Sequence, residues 1–367
     1  MPSILADASR LAATARLRER PELLDPVYEE LHRAVSAEIL PSAVLAIGDS
    51  GGAFRTEALG GQRRPITPDT NFFLASLTKP IFATAFMQLV EAGLVALYEP
   101  VAKHVPEFAG GGRERVTAWH LLTHTSGVTD VEPSLITRHR PSAALMTRMV
   151  IEAPLRFQPG TRWEYCSASF YLLGLIIERV TGTPYPRYLE ERVMGPLGMA
   201  ATFDPRGSER PIVPVEGIGF DNRITRFFVL RYLARTALPG GGLFGNAADV
   251  YRFGAAVLSP ITRDGRALPL APETVELMAR DQTRGVPGSF DGQDRPVSFG
   301  LGWGKPTLMR ETGGSPTVIS HGGASGGRLW LDPESDLVIV LLANRWAADR
   351  QPEMAVIEGT YRAMAAA

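Results

Sequence analysis

Ser76 and Lys79 are the residues of this chain best placed by type and spacing to do chemistry. They open a segment that reads as a helix running to about Ala92, with Gly93 as its stop. Residues three apart on a helix share a face, so the hydroxyl and the amine project together. A hydroxyl attacks a carbonyl carbon poorly until a base takes its proton, and an amine is such a base only while unprotonated. The positive end of a helix dipole favours an oxyanion and disfavours an ammonium at this position. Ser76 and Lys79 therefore form a nucleophile and base within one helical turn, suited to acyl transfer. Pro80 falls in the same turn, where a missing N–H costs little. S-x-x-K is a common tetrapeptide, however, and gains weight only from support elsewhere in the chain.

Two segments supply that support. The first is Phe157-Gln158-Pro159-Gly160-Thr161-Arg162-Trp163-Glu164-Tyr165-Cys166-Ser167, followed by an apolar helix from Phe170 to Val180 and the stop Thr181-Gly182. The second is Ile319-Ser320-His321-Gly322-Gly323-Ala324, between a short strand and the strand Arg328 to Leu331. Their order and spacing relative to Ser76/Lys79 resemble the motif arrangement of serine β-lactamase-type enzymes. Leu121-Leu122-Thr123-His124-Thr125-Ser126-Gly127, Pro196-Leu197-Gly198-Met199 and Gly240-Gly241-Gly242-Leu243, leading to Asp249 and Arg252-Phe253, match as well. The resemblance runs from about Ala43 to the last helix. Within the superfamily the chain looks most like the family VIII carboxylesterases, which are similar to class C β-lactamases and D-Ala-D-Ala carboxypeptidases.

The resemblance implies an α/β fold of β-lactamase/transpeptidase type, with an antiparallel sheet flanked by helices and a large inserted helical domain. It implies that Tyr165 faces the Ser/Lys pair, held by Lys79 and His321, and relays a proton to the leaving group. The plainer alternative is a half-buried Tyr ahead of a core helix. His321 stands where class C enzymes carry the Lys of Lys-Thr-Gly. Its implied role is a hydrogen bond near the Tyr165 hydroxyl or a substrate oxygen, against the alternative of a strand-end His satisfied by a neighbour. Gly322 and Gly323 lack side chains, so a substrate can lie against the strand. By carry-over, the backbone N–H groups of Ala324 and Ser76 form an oxyanion hole. The family's Tyr-x-Asn departs here to Ser167, a short hydroxyl where an amide would hold the amide side chain of a β-lactam or peptide. That departure weighs against those substrates and leaves ester hydrolysis intact.

Several other residues invite chemistry and are set aside. Ser50 and Ser325 both lie in G-x-S-x-G, the nucleophile elbow of α/β-hydrolases, but strand-like residues follow each where the elbow needs a helix. Both read as turn residues. Cys166, the only cysteine, has no neighbouring His in sequence and reads as a small buried packing residue. His120 and His124 have i, i+4 spacing without a completing carboxylate, so they read as structural and no metal or other cofactor is expected. Phe220, Phe227, Phe228 and Tyr232 line an acyl pocket or form plain helical core; Phe228 is taken as the substrate-binding candidate.

A chain of 367 residues with a net charge of −1 and no basic run is long enough for a large core and ill suited to nucleic acid or anionic membranes. A single cysteine excludes an intrachain disulfide. The N-terminus reads as a polar lead-in, without a signal peptide's unbroken apolar stretch. The longest apolar run, Leu337 to Ala343, is too short to cross a bilayer. A soluble, cytoplasmic protein with a small-molecule ester as its partner is expected, its oligomeric state open.

The elements that must position the site follow from pattern. Leu23 to Leu40 has helical periodicity, while Ser42 to Ile47 and Ala53 to Leu59 read as strands joined by the turn Gly48-Asp49-Ser50-Gly51-Gly52. From Tyr98 to about Thr283, helices alternate with Pro/Gly-rich loops. Strand character returns at Ser298 to Trp303, Thr317 to Ser320, Arg328 to Leu331 and Leu337 to Leu342, and Met354 to Ala366 closes as a helix. Strands at both ends predict a split α/β domain (1–95 and 285–367) around a mostly helical domain (96–284), with the active site between them. The expected activity is that of a carboxylesterase working through an acyl-enzyme. The alternatives are a β-lactamase or D-amino-acid peptidase, an acyltransferase on the same scaffold, and a non-catalytic binding or filament-forming module.

Overall fold

A computed structural model of the chain describes residues 8–60, 65–131, 135, 139–217, 223–259, 265–290, 293–306 and 313–367. Helices α1 (Ala8–Glu19) and α2 (Asp25–Ser36) precede the hairpin of β1 (Ser42–Asp49) and β2 (Gly52–Gly60). A two-residue strand β3 (Phe72–Phe73) then leads into α3 (Thr78–Glu91). The middle of the chain holds α4 (Ala118–Leu122), α5 (Ala143–Glu152), β4 (Trp163–Glu164), α6 (Ser169–Thr181), α7 (Tyr185–Leu189) and α8 (Arg223–Thr236). β5 (Phe244–Gly245), α9 (Ala247–Leu258) and α10 (Pro272–Ala279) follow. The chain ends with β6 (Pro287–Phe290), β7 (Gln293–Pro296), β8 (Ser298–Phe299), β9 (Gly304–Lys305), β10 (Ile319–Gly323), β11 (Gly327–Asp332), β12 (Leu337–Ala343) and α11 (Gln351–Ala366).

The main sheet runs β2-β1-β12-β11-β10-β9-β8, and every neighbouring pair is antiparallel. Antiparallel sheets often leave one face wet and alternate apolar with polar residues. Here β1 and β12 are buried along their whole length. Side chains alternate between two cores: Ala43, Leu45, Ile47, Ile339 and Leu341 face a cluster with α1, α2 and α11 residues, while Val44, Ala46, Val338 and Val340 join the larger core with α3 and α9. Central position and helices on both faces explain the unbroken apolar run at Leu337–Ala343.

Three sequence expectations change. The polar lead-in is the helix α1, because Ala13, Thr14 and Leu17 bury one face. Two charges of the other face find partners, Arg18 on Asp49 and Arg10 on the Gly313 carbonyl. The helix expected over Leu23–Leu40 is shorter: a 3-10 turn at Pro21–Leu24 feeds α2, whose Val27, Leu31 and Ala34 are buried as the period requires. The strand expected at Ser298–Trp303 is broken into β8 and β9, because Gly302 takes φ +76° and passes so close to α3 that a Cβ would lie 2.5 Å from the Ala83 Cβ. The hairpin of β6 and β7 was not foreseen, since Pro and Gly mask its strand character. Among the described residues, no helix is long and apolar enough to cross a membrane.

Candidate active site

β3 pairs with β5 and ends at Phe73, and after Leu74 the chain turns at Ala75, which adopts φ +46°. A non-glycine residue in the left-handed region carries strain that persists where the surroundings dictate it. This sharp turn delivers Ser76 into a 3-10 turn (Ala75–Leu77) at the head of α3. Ser76 is partly exposed, whereas Thr78 to Leu89 are buried continuously, Lys79 fully. The Lys79 Nζ lies 3.1 Å from the Ser76 Oγ, 3.1 Å from the Ser167 Oγ and 2.5 Å from the Gly240 carbonyl oxygen. All of these contacts are to neutral oxygens, and they engage every N–H an ammonium owns. The same amine lies over the face of the Tyr165 ring, 4.8 Å from its centroid, so it supports Tyr165 through the ring.

Ser167 and Lys79 are held by contacts that sequence reasoning did not single out. The carboxylate of Asp130 accepts the N–H groups of Ser167 and Ala168, each at 2.8 Å, at the N-terminus of α6. An anion there satisfies orphan donors and matches the helix dipole. Asp130 lies just after the Leu121–Gly127 stretch, which was the available signal. Gly240 belongs to the Gly240-Gly241-Gly242 run, and only its carbonyl takes part, which side-chain chemistry cannot announce.

His321 lies near the end of β10 and is buried. Its Nδ1 donates to the Gly322 carbonyl at 2.9 Å, which leaves Nε2 as an acceptor without a partner among the described residues. Burial above all, with the nearby Lys79 charge, pushes its pKa down to about 3, so the ring is neutral at physiological pH. The Tyr165 and His321 ring centroids are 6.3 Å apart. Neutral His321 therefore does not reproduce the ammonium of the family's Lys. His124 is likewise held well below the usual His range, chiefly by burial. An unfolded chain would protonate both rings near the ordinary His value, whereas the folded chain keeps both neutral. The unfolded state thus binds more protons as the pH falls through that range, and stability falls with it. Thermal denaturation should show Tm dropping from about pH 7 to about pH 5, as the unfolding free energy falls by up to about 1.4 kcal/mol per pH unit for each ring. His321→Gln should flatten that slope.

Ser76, Tyr165, His321 and Ala324 line one cavity of about 490 Å³, with Trp163 and Phe299 among its apolar walls. No main-chain carbonyl among the described residues accepts the N–H of Ser76 or Ala324, as an oxyanion hole requires. Gly322 and Gly323 also line the cavity, and their missing side chains make room for protein as well. A Cβ on Gly322 would meet the Arg328 guanidinium at 3.0 Å, and one on Gly323 would meet the Leu74 carbonyl oxygen at 2.6 Å. Gly323 thus lets β10 press against the turn that carries Ser76.

Other expectations are corrected or placed. Phe228 does not line the cavity: it is 51% exposed on α8 and packs edge-on against Phe227. Tyr232 donates to the Pro141 carbonyl at 3.1 Å, and Phe220 lies outside the described residues. Ser50 is a turn residue whose hydroxyl donates to Asp336 at 2.9 Å, and Ser325 is buried in the β10–β11 turn. The Cys166 thiol donates to the Val128 carbonyl, and burial pushes its pKa up to about 12, as a packing residue allows. His120 caps α4 together with Thr117. No group of metal-ligating side chains occurs among the described residues.

A family model described as Beta-lactamase matches residues 29–358. The chain belongs to the beta-lactamase family. This beta-lactamase-family chain is 31% identical over 383 aligned residues to Esterase EstB of Burkholderia gladioli, covering 92% of this chain and 91% of that protein. Among solved structures it is similar to EstCE1, described as a hydrolase with promiscuous acyltransferase activity, at TM-score 0.76 and 22% identity over 92% of this chain and 98% of that one. A penicillin-binding protein homologue from Caulobacter crescentus superposes at TM-score 0.79 with 20% identity, covering 94% and 98% of the two chains. These likenesses establish the β-lactamase/transpeptidase-like fold that the motifs implied.

Proposed function

We propose that the protein is a serine hydrolase that cleaves small carboxylic esters through an acyl-enzyme. The observation that carries this reading is the Lys79 amine at 3.1 Å from the Ser76 Oγ, at the edge of a cavity that also holds Tyr165. An unprotonated Lys79 would donate to Ser167 and Gly240 and accept from the Ser76 hydroxyl, so each contact fits the base as well as the ammonium that follows. Ser76 Oγ bonds to the carbonyl carbon as its proton passes to Lys79. The N–H groups of Ser76 and Ala324 receive the oxyanion. When the C–O bond to the alcohol breaks, Tyr165 protonates the departing oxygen and is reprotonated from Lys79. Water then adds to the acyl carbon as Tyr165 takes its proton and passes its own to Lys79, and the bond to Ser76 Oγ breaks as that oxygen regains a proton from Lys79, releasing the acid. The relationship to Esterase EstB supports the choice of an ester.

Two features favour esters over β-lactams within this mechanism. Ser167 presents a hydroxyl to Lys79 where the family pattern has an amide, and neutral His321 offers an acceptor where an ammonium would attract a substrate carboxylate. An alkoxide also leaves with less help from a proton than an amine does. Steady-state rates on p-nitrophenyl acetate and butyrate are therefore expected to exceed those on nitrocefin by roughly 100-fold or more, as for a site lacking a required polar partner. Ser167→Asn should raise the nitrocefin rate. Comparable wild-type rates on both substrates would overturn the ester assignment. Transesterified product on adding a small alcohol would identify acyl transfer as a competing outcome, and turnover of none of these compounds would favour a binding module.

A further inference from the structure

His124 takes no part in the steps above, yet its surroundings tie it to Tyr165. It lies in the Leu121–Gly127 stretch just beyond α4, is fully buried, and adopts φ +59°. Its carbonyl oxygen accepts the N–H of Glu164 at 2.9 Å. Its Nδ1 accepts the N–H of Cys166 at 3.1 Å. The two bonds bracket Tyr165 on both sides in sequence. The His124 ring also lies against the Tyr165 ring, with centroids 4.5 Å apart and planes 34° from parallel. Phe299 packs edge-on behind it at 4.9 Å. A surface turn would have no reason to hold a buried, non-glycine residue in the left-handed region. Strain of this kind is retained where the fold needs the geometry.

We propose that His124 is a positioning residue for Tyr165, setting through its Nδ1 acceptor the backbone that carries it and with it the tilt of its ring over Lys79. This rests on the reading of Tyr165 as the proton relay. A neutral ring with Nδ1 as acceptor does this through shape and a hydrogen bond, without charge, so isosteres separate the contributions. His124→Asn keeps an acceptor on a short side chain and tolerates a left-handed φ, whereas His124→Phe keeps a ring and removes the acceptor.

The test is kcat and KM for p-nitrophenyl butyrate in His124→Asn, His124→Phe, Tyr165→Phe and the double variant His124→Phe/Tyr165→Phe, with Tm recorded for each. His124→Phe should lower kcat by roughly 100-fold with KM nearly unchanged, the scale of a catalytic group displaced by about 1 Å. His124→Asn should stay within about fivefold of wild type. The double variant should be no slower than Tyr165→Phe, because groups acting as a unit are not additive. Losses that multiply in the double variant, or a wild-type kcat in His124→Phe, would overturn the proposal. If His124→Phe does not fold, the comparison passes to His124→Asn against His124→Ala, and equal kcat in those two would overturn it. Wild-type kcat in Tyr165→Phe would instead remove the relay reading itself, a distinct result.

Discussion

Ser76→Ala and Lys79→Ala should each abolish esterase turnover, and the double variant should be hardly slower than either alone. The Lys79 Nζ and Ser76 Oγ are in direct contact at 3.1 Å, so the base has no function without the hydroxyl and the hydroxyl no base without Lys79. Losing either member of such a unit costs on the order of 10⁴- to 10⁶-fold in kcat. Lys79→Ala also leaves the Gly240 carbonyl and the Ser167 hydroxyl facing a buried void, so Lys79→Met is the cleaner variant for activity. Ser50→Ala and Ser325→Ala should keep most activity, because the one hydroxyl is spent on Asp336 and the other is buried in a turn. Rates on p-nitrophenyl butyrate, with labelling of the nucleophile by a phosphonate, check this. A folded but inactive Ser50→Ala or Ser325→Ala would overturn the mechanism, and losses that multiplied in Ser76→Ala/Lys79→Ala would show Lys79 acting apart from the nucleophile.

His321→Ala should lower kcat by roughly 10- to 1,000-fold, more than it raises KM, as expected for one polar partner that tightens in the transition state. The buried Nε2 is held as an acceptor by the Nδ1 bond to Gly322, so in the proposed mechanism it would take a hydrogen bond from a donor arriving with the substrate or carried by Tyr165. Because burial keeps the ring neutral down to about pH 3, kcat should show no limb belonging to His321 across the physiological range. His321→Lys should be inactive and should not gain β-lactamase activity, since an ammonium buried beside Lys79 meets a like charge. Unchanged kcat in His321→Ala would remove His321 from the site.

How far the sequence reaches differs from residue to residue, for physical reasons. Ser76 and Lys79 are legible because a helix fixes the relation of residues three apart, and one turn contains both. The strands β1, β11 and β12 and the helix α11 are legible because apolar runs with a clear period leave few alternatives. The family motifs named Tyr165, His321 and Ala324, which line one cavity with Ser76, and Ser167, which meets Lys79. Phe228 was misplaced because apolar residues on a helix announce a face without saying what covers it. That Gly322 also makes room for a guanidinium was not legible, because Arg328 comes from the neighbouring strand.

What only the tertiary structure decided are contacts between groups far apart in sequence. Asp130 holding the start of α6, the Gly240 carbonyl on Lys79 and His124 bracketing Tyr165 each join separate loops, and two of them act through main-chain atoms that side-chain identity does not encode. The charge on His321 was equally beyond local reasoning. An imidazole on a strand can titrate or not, and burial with the nearby Lys79 charge makes it neutral, although the bond to the Gly322 carbonyl favours the proton. Residue types and short-range spacing thus determined the chemistry available to this chain. Long-range packing determined which groups meet, because burial and distance, not identity, set a group's charge and reach.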